Sequence, residues 1–364
     1  MTRPRPRFTP LTVAAVDELT DDSVAVSFAV PPQLREAFTF QPGQHLTVRR
    51  LGEDGEIRRS YSICSAPSLL DTAGVVRIGV RAVVGGEFSG FATKQLRAGD
   101  VLEVLPPLGH FGRSLSGHAS DDGAHFVAIA AGSGITPVLS LLATALPRGD
   151  RFTLLYGNRR AGTVMFAEEL SDLKDQYPDR FHLVHVLSRE PQLSPLLSGR
   201  LDGDRLRAIL DSGLVSVDGV TQWYLCGPYG MVVDAQGVLA ERGVPDRTVH
   251  TELFHVEAEP APTRAPSSVE SAADATVTIR LDGRESTFPM ASDERVLDAA
   301  LRVRGELPYA CKGGVCSTCR AKVIEGAVTM AQNYALEPDE VAAGYVLTCQ
   351  SSPTTARLVV DYDA

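Results

Sequence analysis

The cysteine spacing near the carboxyl end constrains this chain more than any other feature. Three cysteines lie within nine positions, in Cys311-Lys-Gly-Gly-Val-Cys316-Ser-Thr-Cys319, and Cys349 follows thirty residues later. The spacing C-x4-C-x2-C…C is typical of segments that hold a [2Fe–2S] cluster, because two irons need four thiolates and one tight loop can present three of them. The sequence therefore predicts that Cys311, Cys316, Cys319 and Cys349 are metal ligands.

Two alternatives to a cluster are a structural zinc site and a chance grouping of cysteines. Structural zinc sites favour two C-x2-C pairs, whereas this chain has only one. Gly313 and Gly314 have no Cβ, so backbone N–H groups can approach the sulfurs. Such N–H groups offset the negative charge of a cluster. This segment resembles plant-type ferredoxins, which implies a β-grasp fold for residues 275–364.

The charge and apolar content exclude several kinds of partner. A net charge of −10 argues against nucleic acid, because phosphate binding needs a basic face. No segment reaches the ~20 apolar residues that a membrane helix needs, so no membrane partner is expected. No export signal is visible before Asp17. We therefore expect a cytoplasmic protein, in which clustered cysteines favour metal binding over disulfides.

A single proline-rich segment divides the 364-residue chain. Residues 257–274 contain Pro260, Pro262 and Pro266 and almost no bulky aliphatic side chain, so this segment cannot bury itself. We interpret it as a linker. It separates a domain over 275–364 from two upstream domains, over 8–118 and 124–256.

The two upstream domains differ in their patterns. Residues 8–118 give short β-rich runs between turn signals, which predicts an antiparallel β-barrel. Residues 124–256 alternate strands and helices, which predicts an α/β domain with a parallel sheet. After the linker, Asp282-Gly283 lies between two strand-like runs and predicts a hairpin. The expected fold class is thus multidomain: a barrel, a parallel-sheet domain and a ferredoxin-like domain.

A first candidate binding motif lies on a predicted barrel strand. In Arg59-Ser60-Tyr61-Ser62, period-two alternation places Arg59 and Tyr61 on one face and Ser62 on the other. A guanidinium suits a pyrophosphate, and a phenol ring suits stacking on a flavin. Alone the motif is weak, because an ordinary barrel strand would also show such residues.

Two further elements strengthen that motif. Arg77 lies on a later strand, and Gly86-Glu87-Phe88-Ser89 opens a predicted helix, whose N-terminus is suited to an anion. The series resembles the ferredoxin–NADP reductase family. That resemblance implies that R-x-Y-S binds FAD and that the glycine turn holds its phosphates, with Arg77, Gly86, Phe88 and Ser89 as further cofactor-binding candidates.

A second glycine-rich turn follows the first predicted strand of the α/β domain. Gly132-Ser133-Gly134-Ile-Thr136 precedes a helix whose N-terminus would face a pyrophosphate. It is not a full G-x-G-x-x-G, and a simple strand–helix turn is an equal alternative. Cys226-Gly227 ends another strand, and the resemblance implies that this cysteine lies beside a nicotinamide.

Two more candidate groups end strands of the same domain. In NADP-dependent relatives the pair matching Ser188-Arg189 grips the 2′-phosphate, which favours NADPH over NADH; a solvated pair with Glu190 is the alternative. Glu252 is expected near the flavin. Phe254 is expected to cover the flavin face that nicotinamide must reach, unless it packs into the core of its domain.

The order of the three domains resembles the reductase components of bacterial multicomponent oxygenases. Within that family, YACKGGVCSTCRAKV, NYALEPDEVAAGYVLTCQ and LLYGNRR are similar to the reductases of phenylacetyl-CoA epoxidases. The resemblance implies a di-iron oxygenase partner, phenylacetate breakdown, and one-electron transfer from NADPH through FAD and the cluster, with no protein nucleophile or general base. The alternatives are a reductase for another oxygenase, such as a steroid hydroxylase, and a redox-responsive binding protein.

Overall fold

The computed structural model describes residues 7–52, 55–117, 123–254, 275–291 and 293–364. The predicted linker, 257–274, lies outside these described residues. The chain divides into two compact units, Phe8–Phe254 and Met1–Arg7 with His255–Ala364. Among the described residues, no helix combines the length and the apolar character that crossing a membrane requires.

The first unit begins with an antiparallel sheet of six strands: β1 (Thr9–Thr20), β2 (Ser23–Ala29), β3 (His45–Gly52), β4 (Gly55–Ser62), β5 (Val75–Arg81) and β6 (Val101–Val104). Two short helices accompany it, α1 (Pro67–Ala73) and α2 (Glu87–Lys94). The strand order is β4-β3-β6-β1-β2-β5. Ile63, just after β4, pairs with Ile78 of β5 and closes the sheet. The predicted antiparallel barrel is therefore confirmed.

The first β-rich run recognisable in the sequence is Val24–Val30, so β1 was not predicted, although it is the longest strand of the barrel. Its register against β2 shifts twice, between Val13 and Ala15 and between Glu18 and Thr20. Each shift moves the following side chains to the other face, because side chains alternate strictly along a regular strand. The period-two pattern that identifies a strand is thus interrupted in β1.

The same unit continues with a five-stranded parallel sheet: β7 (His125–Ala131), β8 (Arg151–Asn158), β9 (Phe181–Leu187), β10 (Gln222–Cys226) and β11 (Val249–Glu252). Four helices connect the strands: α3 (Ile135–Ala145), α4 (Ala167–Gln176), α5 (Gly203–Asp211) and α6 (Tyr229–Glu241). The order is β11-β10-β7-β8-β9. The central strands are buried almost throughout, as expected when helices cover both faces. The predicted parallel sheet is confirmed.

The barrel and the parallel sheet pack closely against each other. A Cβ at Gly79 of β5 would lie 2.6 Å from Thr136 Cγ2 and 3.1 Å from the Phe166 ring. The buried Ser140 hydroxyl of α3 donates to the Ser65 carbonyl of the barrel at 2.7 Å. The close contact therefore depends on glycine at position 79 of β5. It holds the barrel against the parallel-sheet part of the same unit.

The second unit contains a mixed sheet in the order β13-β12-β18-β14-β16 and a small two-stranded sheet, β15-β17. The strands are β12 (Ala275–Leu281), β13 (Arg284–Met290), β14 (Arg320–Glu325), β15 (Val328–Met330), β16 (Tyr345–Leu347), β17 (Ser351–Pro353) and β18 (Arg357–Asp361); the helices are α7 (Val296–Leu301) and α8 (Pro338–Ala342). β12 and β13 form the predicted hairpin, with Asp282 and Gly283 both at positive φ. β12 and β18 run parallel, and buried side chains of α7 pack on the sheet. This is the expected β-grasp arrangement.

We expect Gly79→Ala to lower the free energy of unfolding of the first unit by about 1–3 kcal/mol, because the added methyl group forces Thr136 and Phe166 apart. Thermal and denaturant unfolding measure the change. Gly237→Ala is the matched control: Gly237 lies in α6 with open space around it, so alanine should stabilise by about 0.5–1 kcal/mol. Equal effects of the two substitutions would show that the contact at Gly79 is unimportant.

Candidate functional site

The barrel brings two separately predicted motifs into contact. Tyr61 of β4 and Phe88 of α2 lie with their ring centroids 5.4 Å apart. Burial raises the pKa of the Tyr61 phenol, so this side chain stays neutral. Arg59, two residues earlier on β4, is exposed and donates from Nη1 to the Arg58 carbonyl at 2.7 Å. The strand motif and the glycine turn therefore form one site.

The turn before α2 leaves its helix N-terminus without a side-chain cap. The Ser89 hydroxyl accepts from the Val83 N–H and donates to the Gly86 carbonyl, both at 3.1 Å, so it closes the turn. A Cβ at Gly86 would lie 2.4 Å from that hydroxyl. The small residue thus permits a turn whose helical N–H groups remain available, and that arrangement fits a phosphate.

Arg77 has a different environment from the one its motif implied. Its guanidinium forms a two-pronged ion pair with Glu169 of α4 and lies 5.3 Å from the centroid of the Phe166 ring. Both partners belong to the parallel-sheet part of the unit. Arg77 therefore links the barrel to that sheet, and two of its nitrogens are occupied by a carboxylate.

Three predicted residues from distant parts of the chain meet between the barrel and the parallel sheet. The Ser62 hydroxyl donates to Glu252 Oε2 at 2.8 Å, and Glu252 of β11 pairs in register with Cys226 of β10. Burial raises the pKa of Glu252 to about 7, with the Ser62 hydrogen bond acting in the opposite direction. Burial, and then the nearby Glu252, raise the pKa of the Cys226 thiol. The group combines a neutral thiol with a carboxyl that changes its protonation near neutral pH.

The glycine-rich turn after β7 packs directly on the end of β10. Gly132 has a φ of 54°, which glycine adopts without strain. A Cβ at Gly134 would lie 2.1 Å from the Cys226 carbonyl oxygen, and one at Gly227 would lie 2.5 Å from Met231 Cε. The Thr136 hydroxyl donates to the Ser133 carbonyl at 3.0 Å. The backbone contact requires glycine at position 134, whereas the contact at Gly227 is with the end of a flexible side chain. The turn lies beyond the carboxyl ends of the strands, where nucleotides bind in such sheets.

The pair after β9 is exposed at the same edge of the sheet. Ser188 donates its backbone N–H to the Asn158 carbonyl at 2.9 Å. The Glu190 carboxylate accepts from the Ala161 N–H at 2.9 Å, and within the described part of the chain the Arg189 side chain forms no ion pair. Within the described residues, Arg189 and Glu190 therefore do not form the solvated ion pair that was the alternative interpretation.

Phe254 is the last described residue of this unit, and 39% of it is exposed, whereas its neighbour Leu253 is buried. The alternative that Phe254 packs into the core of its domain is not what the structure contains. Its ring is instead partly exposed to solvent, two residues after Glu252.

The four candidate metal ligands meet in two pairs. Cys311 and Cys316 shift each other's pKa in opposite directions, and so do Cys319 and Cys349, so each pair of thiols lies close together. Among the described residues no three His, Cys, Asp or Glu side chains lie close enough to share one metal ion. Two thiolate pairs suit two irons better than one zinc ion, which needs four ligands around a single point.

The loop around these cysteines provides hydrogen bonds to sulfur. The Gly313 N–H donates to Cys311 Sγ at 3.3 Å, and Gln350 Nε2 lies 3.6 Å from Cys349 Sγ. Gln350 Nε2 also donates to the Lys312 carbonyl at 2.8 Å. Lys312 and Gly314 both have positive φ, which turns the loop tightly. The donors fit a negatively charged cluster.

Several contributing residues were not recognised from sequence. Gln350 adjoins Cys349, and this adjacency was the only available signal. Thr348 donates to the Cys319 carbonyl at 2.9 Å, and the buried Tyr362 hydroxyl donates to Thr348 at 2.9 Å. No spacing rule connects Tyr362 with the cysteines, because the contact depends on how the sheet returns β18 beside β14.

Comparisons with known proteins agree with this architecture. Family models match in three places: an oxidoreductase FAD-binding domain over residues 10–112, an oxidoreductase NAD-binding domain over 128–237, and a 2Fe-2S iron-sulfur cluster binding domain over 279–354. Together they define an NAD(P)H-dependent oxidoreductase that carries FAD-binding, NAD-binding and 2Fe–2S domains in one chain.

Relatives over the full length identify the family. A component of the 1,2-phenylacetyl-CoA epoxidase from Escherichia coli K12 is 46% identical, and the match covers 98% of both chains. The ferredoxin reductase component of 3-ketosteroid-9-alpha-monooxygenase from Rhodococcus rhodochrous is 35% identical, over 97% of this chain and 96% of its own. The chain belongs to the ferredoxin–NADP reductase family, among oxygenase reductases with a C-terminal 2Fe–2S domain.

A solved structure shows the same fold. Phthalate dioxygenase reductase, described as a modular structure for electron transfer from pyridine nucleotides to [2Fe–2S], aligns with a TM-score of 0.58 at 21% identity. The alignment covers 97% of this chain and 98% of that one. This likeness shows that a solved protein has the same fold along nearly its whole length.

We expect Cys349→Ser to lose or destabilise the cluster while flavin stays bound, because the Cys319 pair loses its partner and a hydroxyl is a poor iron ligand. Iron analysis and the visible spectrum measure this change. Cys64→Ala is the matched control, since Cys64 is a buried cysteine of the other unit. Normal iron content in Cys349→Ser would remove Cys349 from the ligand set.

Proposed function

We propose that this protein is the reductase of a phenylacetyl-CoA epoxidase and supplies electrons from NADPH to a di-iron oxygenase partner. The observation that carries the proposal is 46% identity to a component of such an epoxidase along 98% of both chains. The steroid monooxygenase reductases are less similar, at 35% or below, and form the second candidate function. A reducing compartment suits cysteine ligands, so we place the protein in the cytoplasm.

We propose that the barrel site holds FAD. Tyr61 would pack on the ring system, with Ser62 at its edge and Phe254 covering the opposite face. Arg59 and the turn of Gly86, Phe88 and Ser89 would hold the phosphates. Arg77 would act by joining the two halves of the unit, since Glu169 occupies it. When bound, FAD accepts a hydride and releases the two electrons singly, which is chemistry that the protein orients and tunes.

The nucleotide would bind at the carboxyl edge of the parallel sheet. The turn of Gly132, Ser133, Gly134 and Thr136 would receive the pyrophosphate, and Cys226 with Gly227 would lie beside the nicotinamide. Ser188 and Arg189 would bind the 2′-phosphate that distinguishes NADPH from NADH. Arg189 is exposed and forms no ion pair with any residue that the structure describes, which supports this preference, because such a guanidinium can form charge-assisted hydrogen bonds to phosphate.

Glu252 would hold a proton close to the reacting groups. Its carboxyl accepts from the Ser62 hydroxyl and has a pKa of about 7, so it is partly protonated at neutral pH. A protonated Glu252 avoids placing a negative charge beside the buried Cys226 thiol. The arrangement needs neither a protein nucleophile nor an obligatory general base, and we assign no catalytic residue in that sense.

The partner assignment is tested by NADPH oxidation with purified oxygenases. The full chain should support epoxidation when the epoxidase oxygenase component and phenylacetyl-CoA are both present, and should support a steroid oxygenase poorly. A fragment of residues 1–254, which contains the whole of the compact unit Phe8–Phe254, is the control. It should reduce ferricyanide with NADPH but fail to drive the oxygenase, because it lacks all four cluster cysteines.

Three results would contradict the proposal. Equal or better support of the steroid oxygenase would favour the second candidate function. Oxygenase activity with the fragment 1–254 would show that electrons do not leave through the 2Fe–2S domain. Failure of the full chain to reduce any acceptor in repeated turnovers would favour the redox-responsive binding protein.

We expect Arg189→Ala to weaken the use of NADPH far more than that of NADH. Loss of a charge-assisted phosphate contact should cost about 1.5–3 kcal/mol, or about tenfold or more in affinity. Steady-state kinetics with both nucleotides measure the change. Arg242→Ala is the control, since Arg242 pairs with Asp211 at 2.6 Å on the α5–α6 surface. An equal fall of kcat/KM for both nucleotides would mean that Arg189 does not recognise the 2′-phosphate.

A further inference from the structure

Asn158, the last residue of β8, has a buried side-chain amide with no well-formed hydrogen bond to any described residue. Only 8% of it is exposed, and neither its Nδ2 nor its Oδ1 has a hydrogen-bond partner among the residues that the structure describes. A buried polar group normally has such a partner, because leaving it unpaired costs the full loss of hydration. The Nδ2 atom has at most the neighbouring Tyr156 phenol within reach, and Oδ1 has no partner among the described residues, so this amide indicates a ligand.

The surroundings of Asn158 place it at the glycine-rich turn. Alternation along β8 puts it on the same face as Tyr156, whose hydroxyl donates to the Gly132 carbonyl at 2.9 Å. Burial raises the pKa of Tyr156, and the nearby Asn158 amide and Arg81 guanidinium oppose that rise. The Asn158 amide and the Arg81 guanidinium therefore lie beside the Tyr156 phenol, whose hydroxyl hydrogen is donated to the Gly132 carbonyl.

The same place carries a positive charge and a second unpaired polar atom. Arg81 Nη1 lies 3.5 Å from the position that a Cβ on Gly132 would take, while its Nε donates to Asp22 at 3.0 Å. His185 pairs in register with Tyr156, and its buried Nδ1 has no hydrogen-bond partner within the described residues. This polar edge carries a guanidinium whose charge Asp22 partly balances, and it suits a ligand with hydroxyl and phosphate groups.

The strand order fixes which part of a dinucleotide reaches Asn158. Across the carboxyl edge, Cys226 of β10 comes first, then the turn after β7, then Asn158 of β8 and finally Arg189 after β9. Adjacent strands lie about 4.8 Å apart. Asn158 thus lies between the turn proposed for the pyrophosphate and the residues proposed for the 2′-phosphate. The adenosine ribose occupies that interval in an extended dinucleotide.

We propose that the Asn158 carboxamide binds the adenosine ribose and its adjoining phosphate in the nicotinamide dinucleotide. Oδ1 accepts from a ribose hydroxyl that NADH and NADPH share, and Nδ2 donates to a phosphate oxygen. The assignment rests on the nucleotide site proposed above. It makes Asn158 a positioning residue for both nucleotides, in contrast to Arg189, which discriminates between them.

The test measures binding of NADP+, NAD+ and ADP-ribose to the full-length holoprotein by calorimetry. Asn158→Leu keeps most of the volume and removes both hydrogen-bonding atoms, and Asn158→Asp keeps the shape but replaces the donor by a negative charge. Both variants should bind all three probes about tenfold more weakly or worse. Without nucleotide, Asn158→Leu should unfold at the same or a higher temperature, because an unpaired buried amide is gone.

Each other outcome has a definite meaning. Unchanged binding of all three probes by either folded variant would overturn the proposal. A loss confined to NADP+, the pattern expected of Arg189→Ala, would assign Asn158 to the 2′-phosphate instead. A loss for NADP+ and NAD+ but not for ADP-ribose would assign it to the nicotinamide half. Failure of the unaltered protein to bind any probe would refute the nucleotide site itself, and the Asn158 assignment with it.

Discussion

The close packing of the barrel on the parallel sheet is the constraint on which the first unit depends. At Gly79 the two parts approach so closely that a single methyl group would not fit against Thr136. Ser62 of the barrel can reach Glu252 of the sheet only because that approach is made. Two further contacts hold the barrel against the parallel sheet, the Arg77–Glu169 ion pair and the Ser140–Ser65 hydrogen bond.

Burial at this junction also determines its electrostatics. Cys226 and Glu252 are neighbouring strand ends, so a negative charge on Glu252 would be felt directly by the thiol. The low polarity of the junction raises the pKa of both groups. The region that we propose accepts the reduced nicotinamide ring and the flavin thus avoids a fixed negative charge, while keeping a carboxyl that can exchange a proton near neutral pH.

The sequence predicted those features that depend on local chemistry. The four cysteines were recognisable by their spacing, and four of the five parallel strands were recognisable by their buried character or by the motifs at their ends. The fifth, β11, is only half-buried and was not predicted as a strand. The fold class was predicted correctly for all three domains. By contrast, β1 was missed because two register shifts interrupt its alternation. The Glu169 partner of Arg77 and the unpaired amide of Asn158 depend on contacts between distant segments, which no spacing reveals.

The pairing of Cys319 with Cys349 has a consequence for the life of the protein in the cell. Cys319 precedes β14 and Cys349 follows β16, and these strands pair antiparallel at Arg320 and Leu347. Iron held by both cysteines would tie the ends of that strand pair together, as a covalent cross-link does. Closing a chain segment of this kind restricts the unfolded state, which for a disulfide contributes about 3–4 kcal/mol. Iron bound in this way would therefore couple the resistance of the C-terminal unit to unfolding and proteolysis to the supply of iron.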